Sequence, residues 1–207
     1  MNLLAQYRRR APLYDLELAA FEPLRHAAVA ALQLRPGQHV LDLGCGTGLS
    51  LALLQRGVGP QGQITAVEQS PEMLARARRR VAAAGWRNIT LLEAPVDRAA
   101  LQGRADAALF HFTHDILQDA AALRRVFAHL RTGARVAAVG LCWAPLWAWP
   151  ANLFVLGAGL YSVGSLQGLE RPWSRLEAYC GRLTLRRPLP GGFFIASGVY
   201  SGHDRQE

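Results

Sequence analysis

Asp42, Gly44, Gly46 and Gly48 stand at alternate positions in the run Val40-Leu-Asp-Leu-Gly-Cys-Gly-Thr-Gly48. A carboxylate closes a short apolar strand here, and three glycines follow in a turn whose backbone amides can approach an anion or a ribose closely. The chemistry on offer is nucleoside binding. The spacing is not that of the dinucleotide fingerprint: read from Gly44, G-x-G-x-x-G requires a glycine where this chain has Leu49. One apolar run later, Ile64-Thr-Ala-Val-Glu68 ends in an acid able to accept hydrogen bonds from both ribose hydroxyls. A second polar cluster, His111-Phe-Thr-His-Asp115, follows another apolar run. Imidazole titrates near neutrality, so His111 or His114 suits removal of a proton from a hydroxyl or an ammonium. The bland alternatives are that His111 simply packs and that Asp115 caps the next helix. As a metal site the cluster supplies too few ligands for zinc, and none is expected.

These groups must be held by elements that alternate regularly. Apolar strand-like runs fall at residues 39–43, 63–67, 89–92, 105–110 and 134–140, with helical patterns at 71–84 and 118–130 between them. A helical pattern around Leu24, Ala28, Ala31 and Leu32 precedes the first strand, and Leu49, Leu51, Leu53 and Leu54 lie in the helix after the glycine turn. Such βα alternation predicts a parallel sheet covered by helices on both faces, with right-handed crossovers. Ligands in sheets of this kind sit beyond the carboxyl ends of the strands, which gathers Asp42, Glu68 and His111 around one crevice. Ser70 and Pro71 are a helix cap and first-turn proline. Past residue 140 the alternation stops, and a helix at 173–180 with strand-like runs at 183–185 and 193–200 completes the chain.

The run Asp42-Leu-Gly-Cys-Gly-Thr-Gly48 resembles the D-x-G-x-G-x-G loop of the class I methyltransferases and matches it throughout. Gln69-Ser-Pro-Glu-Met73 is similar to the S-P-x-M run that follows the ribose-binding acid in that family. The resemblance implies an α/β Rossmann-like fold, with a seven-stranded, mostly parallel sheet ending in an antiparallel C-terminal strand. It implies S-adenosylmethionine as cofactor and S-adenosylhomocysteine as product. Tyr14, Asp42, Gly44, Cys45, Gly46, Gly48, Glu68, Gln69, Met73, Pro95, Val96 and His111 would surround the cofactor, with Gly44 and Gly46 against its methionine part and Glu68 on its ribose. Many members place an aspartate against adenine after strand three, whereas this chain has Glu93-Ala-Pro-Val-Asp97, which leaves adenine to apolar contact with Pro95 and Val96 and the Val96 backbone amide, with Asp97 or Glu93 as alternative polar partners. Tyr14-Asp15 stands where the family often has a tyrosine-aspartate lid. The residues expected at the transfer step are His111, His114, Asp115 and Tyr14.

The 207 residues suffice for one domain, 1–207, with an N-terminal helical lid over 1–35 and an apolar cap over 141–172. Between Val136 and Leu169 there is no charged side chain, yet Trp143, Trp147, Trp149, Phe154 and Tyr161 crowd the segment. Its prolines and glycines argue against one lipid-spanning helix. Such a wall favours a small apolar, aromatic or quinone-like acceptor, or a phospholipid amine. The resemblance is to the ubiquinone and menaquinone biosynthesis branch over about residues 7–140, and to small bacterial phospholipid N-methyltransferases. An inactive cofactor-binding subunit is the reading from another class.

The net charge of +8 is carried by arginine without a single lysine. Clusters at 8–10, 76–80 and 182–187 suit an anionic membrane surface as well as an ordinary solvated face. Nucleic acid is not expected, because aromatics do not interleave with these arginines. A second copy of the chain is a further candidate partner. Three scattered cysteines and no visible export signal predict a cytoplasmic protein, with peripheral membrane association as the variant.

Overall fold

A computed structural model describes residues 21–162, 167–188 and 191–202 of the chain. Tyr14, with the rest of the expected lid before Phe21, lies outside the described residues. The strands are β1 His39–Leu43, β2 Gln63–Glu68, β3 Ile89–Glu93, β4 Ala105–His111, β5 Leu130–Leu141, β6 Thr184–Arg186 and β7 Phe193–Val199. They form the expected seven-stranded sheet in the order β3-β2-β1-β4-β5-β7-β6. All pairs from β3 to β5 are parallel, and β7 enters antiparallel between β5 and β6.

Burial explains the composition of the central strands. Val40, Leu41 and Leu43 of β1 are all shielded, because helices cover both faces. On one face Leu41, Leu43 and Phe110 pack with Leu123, Phe127, Trp173 and Phe194. On the other, Val40 and Leu109 meet α1 Glu22–Ala31, α2 Leu51–Val58 and α3 Pro71–Ala84 through Ala28, Leu54 and Leu74. α3 occupies its expected bounds: Ser70 accepts the Met73 N–H at 3.3 Å, Pro71 opens the first turn, and Gly85 closes the helix in the left-handed region.

Two expectations change. The helix foreseen at 118–130 is two helices, α4 His114–Gln118 and α5 Ala120–Ala128. Asp119 takes extended backbone between them, and its carboxylate accepts the N–H groups of Ala121 and Ala122 at 2.7 and 3.2 Å, which restarts the helix. The apolar segment contains a real helix, α6 Trp149–Ser162. Pro150 sits in its first turn, where a proline costs no hydrogen bond, so it marks the helix start rather than a break. Among the described residues no helix is long and apolar enough to cross a membrane. The last helix is α7 Ser174–Cys180.

Candidate active site

The strand order reverses between β1 and β4, which pair through Leu43 and Phe110, so their carboxyl ends open the crevice of the sheet. The glycine turn leaves β1 with the Gly44 and Cys45 N–H groups held by the Val67 carbonyl at 2.8 and 2.9 Å. Gly44, Gly46 and Gly48 have φ of 70, 56 and 81°, a region that costs a side chain strain. Space is as tight as the backbone: a Cβ on Gly44 would stand 2.5 Å from the Thr113 methyl. Gly48 has another duty, since a Cβ there would meet Leu51 at 2.8 Å and Ala77 at 3.1 Å. It lets α3 close on the turn instead of lining the cleft. The sequence reading also missed Arg80, whose Nε donates to the Thr47 carbonyl at 3.2 Å and ties the turn to α3.

Glu68 ends β2 with one oxygen accepting the Gly46 N–H at 3.0 Å and the other the Ser70 N–H at 2.8 Å. The carboxylate lines the cleft and has acceptor capacity beyond these N–H groups. Burial raises this carboxyl above its ordinary range, against the lowering effect of those N–H groups, and Asp115 pushes in the same direction as burial. The cleft, about 840 Å³ with its open mouth included, is lined by Gly44, Gly46, Glu68, Gln69 and Met73 on one side. Pro95 and Val96 close another side, and His111, Phe112, Thr113, Asp115 and Ile116 the third. Most of the expected cofactor residues therefore converge.

Behind the turn lies a smaller recess lined by Arg25, Asp42, Cys45, Thr47, Ser50 and His111. Arg25 was hidden in the sequence by the apolar stripe of its helix; its signal was an arginine three residues before Ala28 on the buried side. It is 1% exposed, and Glu22 pairs with Nη1 while Nε and Nη2 have no protein partner. Asp42 is equally buried with Oδ2 unpartnered, and burial raises its carboxyl to about 7 although Arg25 pulls it down. His111 has a buried, unpartnered Nε2, and burial and then Arg25 push its pKa down to about 3. The Cys45 thiol is pushed up by burial and by Asp42 and Glu68, which makes it a small filler rather than a nucleophile.

His114 is turned out of the cleft. A ring nitrogen meets the Gln167 carbonyl at 2.8 Å, and with Gln118, whose amide donates to the Pro172 carbonyl, it ties α4 to the far end of the apolar segment. Phe112 has φ of 56°, an unusual state for a bulky residue, and its ring packs on His111, Phe21 and Phe193 with centroids 5.0, 5.4 and 6.2 Å away. Among the described residues no cluster of His, Cys, Asp and Glu could hold a metal.

A turn of glycines, an acid one strand over and a sheet whose antiparallel strand is inserted between β5 and β6 define the fold of the class I methyltransferases. The donor set fits their cofactor, S-adenosylmethionine: Glu68 offers two acceptors for a ribose, Met73, Pro95 and Val96 an apolar slot for a base, and the unpartnered Arg25 and Asp42 atoms a charge pair for an amino-acid zwitterion.

Comparison with known proteins agrees. A family model described as "Methyltransferase domain" matches residues 40–133. The chain is similar to a demethylmenaquinone methyltransferase of Symbiobacterium thermophilum, 42% identical over 65 residues that span 31% of this chain and 26% of that one. It is also similar to an aklanonic acid methyltransferase of a Streptomyces species, 32% identical over 60% of this chain and 58% of the other. Among solved structures, the N-methyltransferase NodS of Bradyrhizobium japonicum superposes with a TM-score of 0.61 at 15% identity, covering 88% of this chain and 97% of that one. The chain spans well under two thirds of the curated relatives it matches, from 16% to 58% of their length.

Proposed function

We propose that the protein transfers the methyl group of S-adenosylmethionine to a small lipophilic acceptor of quinone-like or aromatic type. The observation that carries this reading is the cleft itself: an acid braced on the glycine turn at one end, and at the other Phe112, backed by an aromatic cluster of Phe21, Phe193 and Phe154. The demethylmenaquinone and aklanonic acid enzymes support the choice of acceptor class. When bound, the cofactor supplies an electrophilic methyl group on a sulfonium.

The chain's own contribution is mainly positioning. Glu68 holds the ribose and Arg25 with Asp42 the charged end, while the aromatic wall excludes water and orients a flat molecule. His111 is kept neutral by its surroundings, so it acts as a hydrogen-bond partner at the cleft wall rather than as a proton carrier. In this reading Asp115, exposed and lining the cleft, takes the proton from an acceptor hydroxyl.

Labelled-methyl transfer from S-adenosylmethionine into separated extract fractions, with product masses measured, tests the reading. Label is expected in the solvent-extractable, low-molecular-mass fraction, and Glu68→Ala should weaken cofactor binding by about 10- to 100-fold. Tight cofactor binding with no labelled product in any fraction would replace the enzyme by a binding subunit. Label on phospholipid headgroups would move the acceptor class.

A further inference from the structure

We infer that the protein docks on an anionic lipid bilayer through the outer face of residues 146–156, flanked by the arginines of the β6 edge. Leu146, Trp147, Trp149 and Leu153 are 92, 71, 64 and 59% exposed, a density of large apolar side chains that an ordinary solvated face does not carry. Trp149, Leu153 and Leu156 recur at helical spacing on one side of α6, while Val155 is buried on another side and Ala148 is buried in the turn before the helix.

The patch is firmly mounted. The Asn152 side chain accepts the Ala144 N–H at 2.8 Å and returns a hydrogen bond to the Ala144 carbonyl at 3.2 Å, and Ala148 N–H closes on the Pro145 carbonyl at 2.9 Å.

Charge decides what the patch meets. Gly191 and Gly192 lie against Ala144, Pro145 and Val155, and the Gly192 carbonyl accepts the Cys142 N–H at 3.0 Å. The sheet-edge strand β6 runs toward this turn and ends in Arg186, opposite Ile195 of β7, followed by Arg187; both are exposed, and residues 178–202 contain no carboxylate. A second copy docking about a two-fold axis would bring two such arginine strands together without compensation. A neutral polar partner would gain nothing from two indoles and three leucines. An anionic bilayer satisfies both halves: tryptophan and leucine enter the interface, and guanidinium groups stay at the headgroups.

The docking face runs on into the cleft. Phe154 contacts Phe193 and Phe21, and both contact Phe112 at the cofactor cleft, so a lipophilic molecule leaving the bilayer meets apolar surface all the way. That route rests on the proposed acceptor class; the docking does not.

The test is flotation of the full chain with vesicles of phosphatidylcholine, with and without phosphatidylglycerol. Binding is expected only with phosphatidylglycerol and should weaken with salt. The variant L146S/W147S/W149S should bind about tenfold more weakly or worse, and R186Q/R187Q should lose most of the preference for phosphatidylglycerol. Brominated lipid chains should quench the tryptophan fluorescence of the wild type and much less that of the serine variant. Cofactor affinity unchanged in both variants would show that they fold and keeps this result separate from the proposed reaction. Failure of the wild type to float at low salt would overturn the inference. So would flotation unaltered by the serine substitutions, or a wild-type dimer that those substitutions convert to monomer.

Discussion

Asp42 and His111 share one recess and titrate in opposite senses, which makes the pH dependence of stability a direct probe of the site. Unfolded Asp42 ionises above 3.8, but the folded carboxyl keeps its proton up to about 7. Between those values the native state binds more protons, so this group's contribution to stability falls as pH rises from about 4 to about 7 and is level beyond. The full span is worth about 4 kcal/mol, at about 1.4 kcal/mol per decade. Unfolded His111 takes up a proton below 6.5, whereas the folded ring resists until about 3. Its contribution therefore rises with pH through that window, over a span that the partial opening of the ring to the cleft narrows. In the wild type the two slopes oppose one another. Asp42→Asn removes the falling one: relative to wild type, its unfolding free energy should climb by about 3 kcal/mol between pH 4.5 and pH 6.5. His111→Gln should fall relative to wild type over the same range, by somewhat less. Urea unfolding of the cofactor-free protein at three pH values reads this out, since about 2 to 3 kcal/mol per molar urea turns the Asp42→Asn effect into a midpoint change of roughly 1 M. Variant and wild-type curves that stay parallel would refute the opposed titrations and the burial that causes them.

Three further outcomes follow from the same geometry. Arg25→Met keeps the volume of a buried side chain and removes the two unpartnered guanidinium nitrogens, Nε and Nη2, from the recess; S-adenosylmethionine affinity should drop by about 10- to 100-fold by calorimetry, with the circular dichroism unchanged. Gly44→Ala combines a left-handed φ with a 2.5 Å approach to Thr113, and should cost about 2 to 5 kcal/mol in denaturant unfolding and abolish cofactor binding. Ser70→Ala removes the cap on α3 and should cost about 1 kcal/mol, seen as a melting temperature about 2 to 4 °C lower; no change would mean that Ser70 does not cap in solution.

The parallel half of the fold was legible because its signals are local. Strand β1 and helix α3 begin and end where apolar runs, Ser70-Pro71 and Gly85 place them, and the glycine turn announces its own φ values. Asp42 and Glu68 were legible as site residues because they end strands of one parallel sheet. Arg25 was not: it sits in the helix just before β1 with no motif of its own, and only the packing of α1 over the sheet aims it at the glycine turn. His114 misled for the complementary reason. Its spacing from His111 suggested one cluster, but the helix starts at His114 and turns its ring toward the Gln167 carbonyl. Asp119 read as one polar residue within a helix, and only its extended backbone shows that it ends one helix and caps another.

The unsatisfied atoms of the recess bear on why this chain tolerates them. Arg25 Nε and Nη2, Asp42 Oδ2 and His111 Nε2 are buried without partners in the protein, and each such group costs about 1 to 3 kcal/mol or more in an otherwise apolar interior. A core built only for stability would replace them with aliphatic side chains of similar size, which buried ion pairs usually tolerate or improve on. Grouped around a glycine turn, they make a recess that is expensive empty and inexpensive when a zwitterion fills it. Binding energy is then already present in the folded chain before the ligand arrives, and the ligand should raise stability by more than contacts to Glu68 alone would give. Thermal shift with S-adenosylhomocysteine, compared between wild type, Arg25→Met and Glu68→Ala, measures that share. If Arg25→Met kept the full ligand-induced shift, the recess would be a structural flaw of the fold and the charged end of the cofactor would have to be held elsewhere.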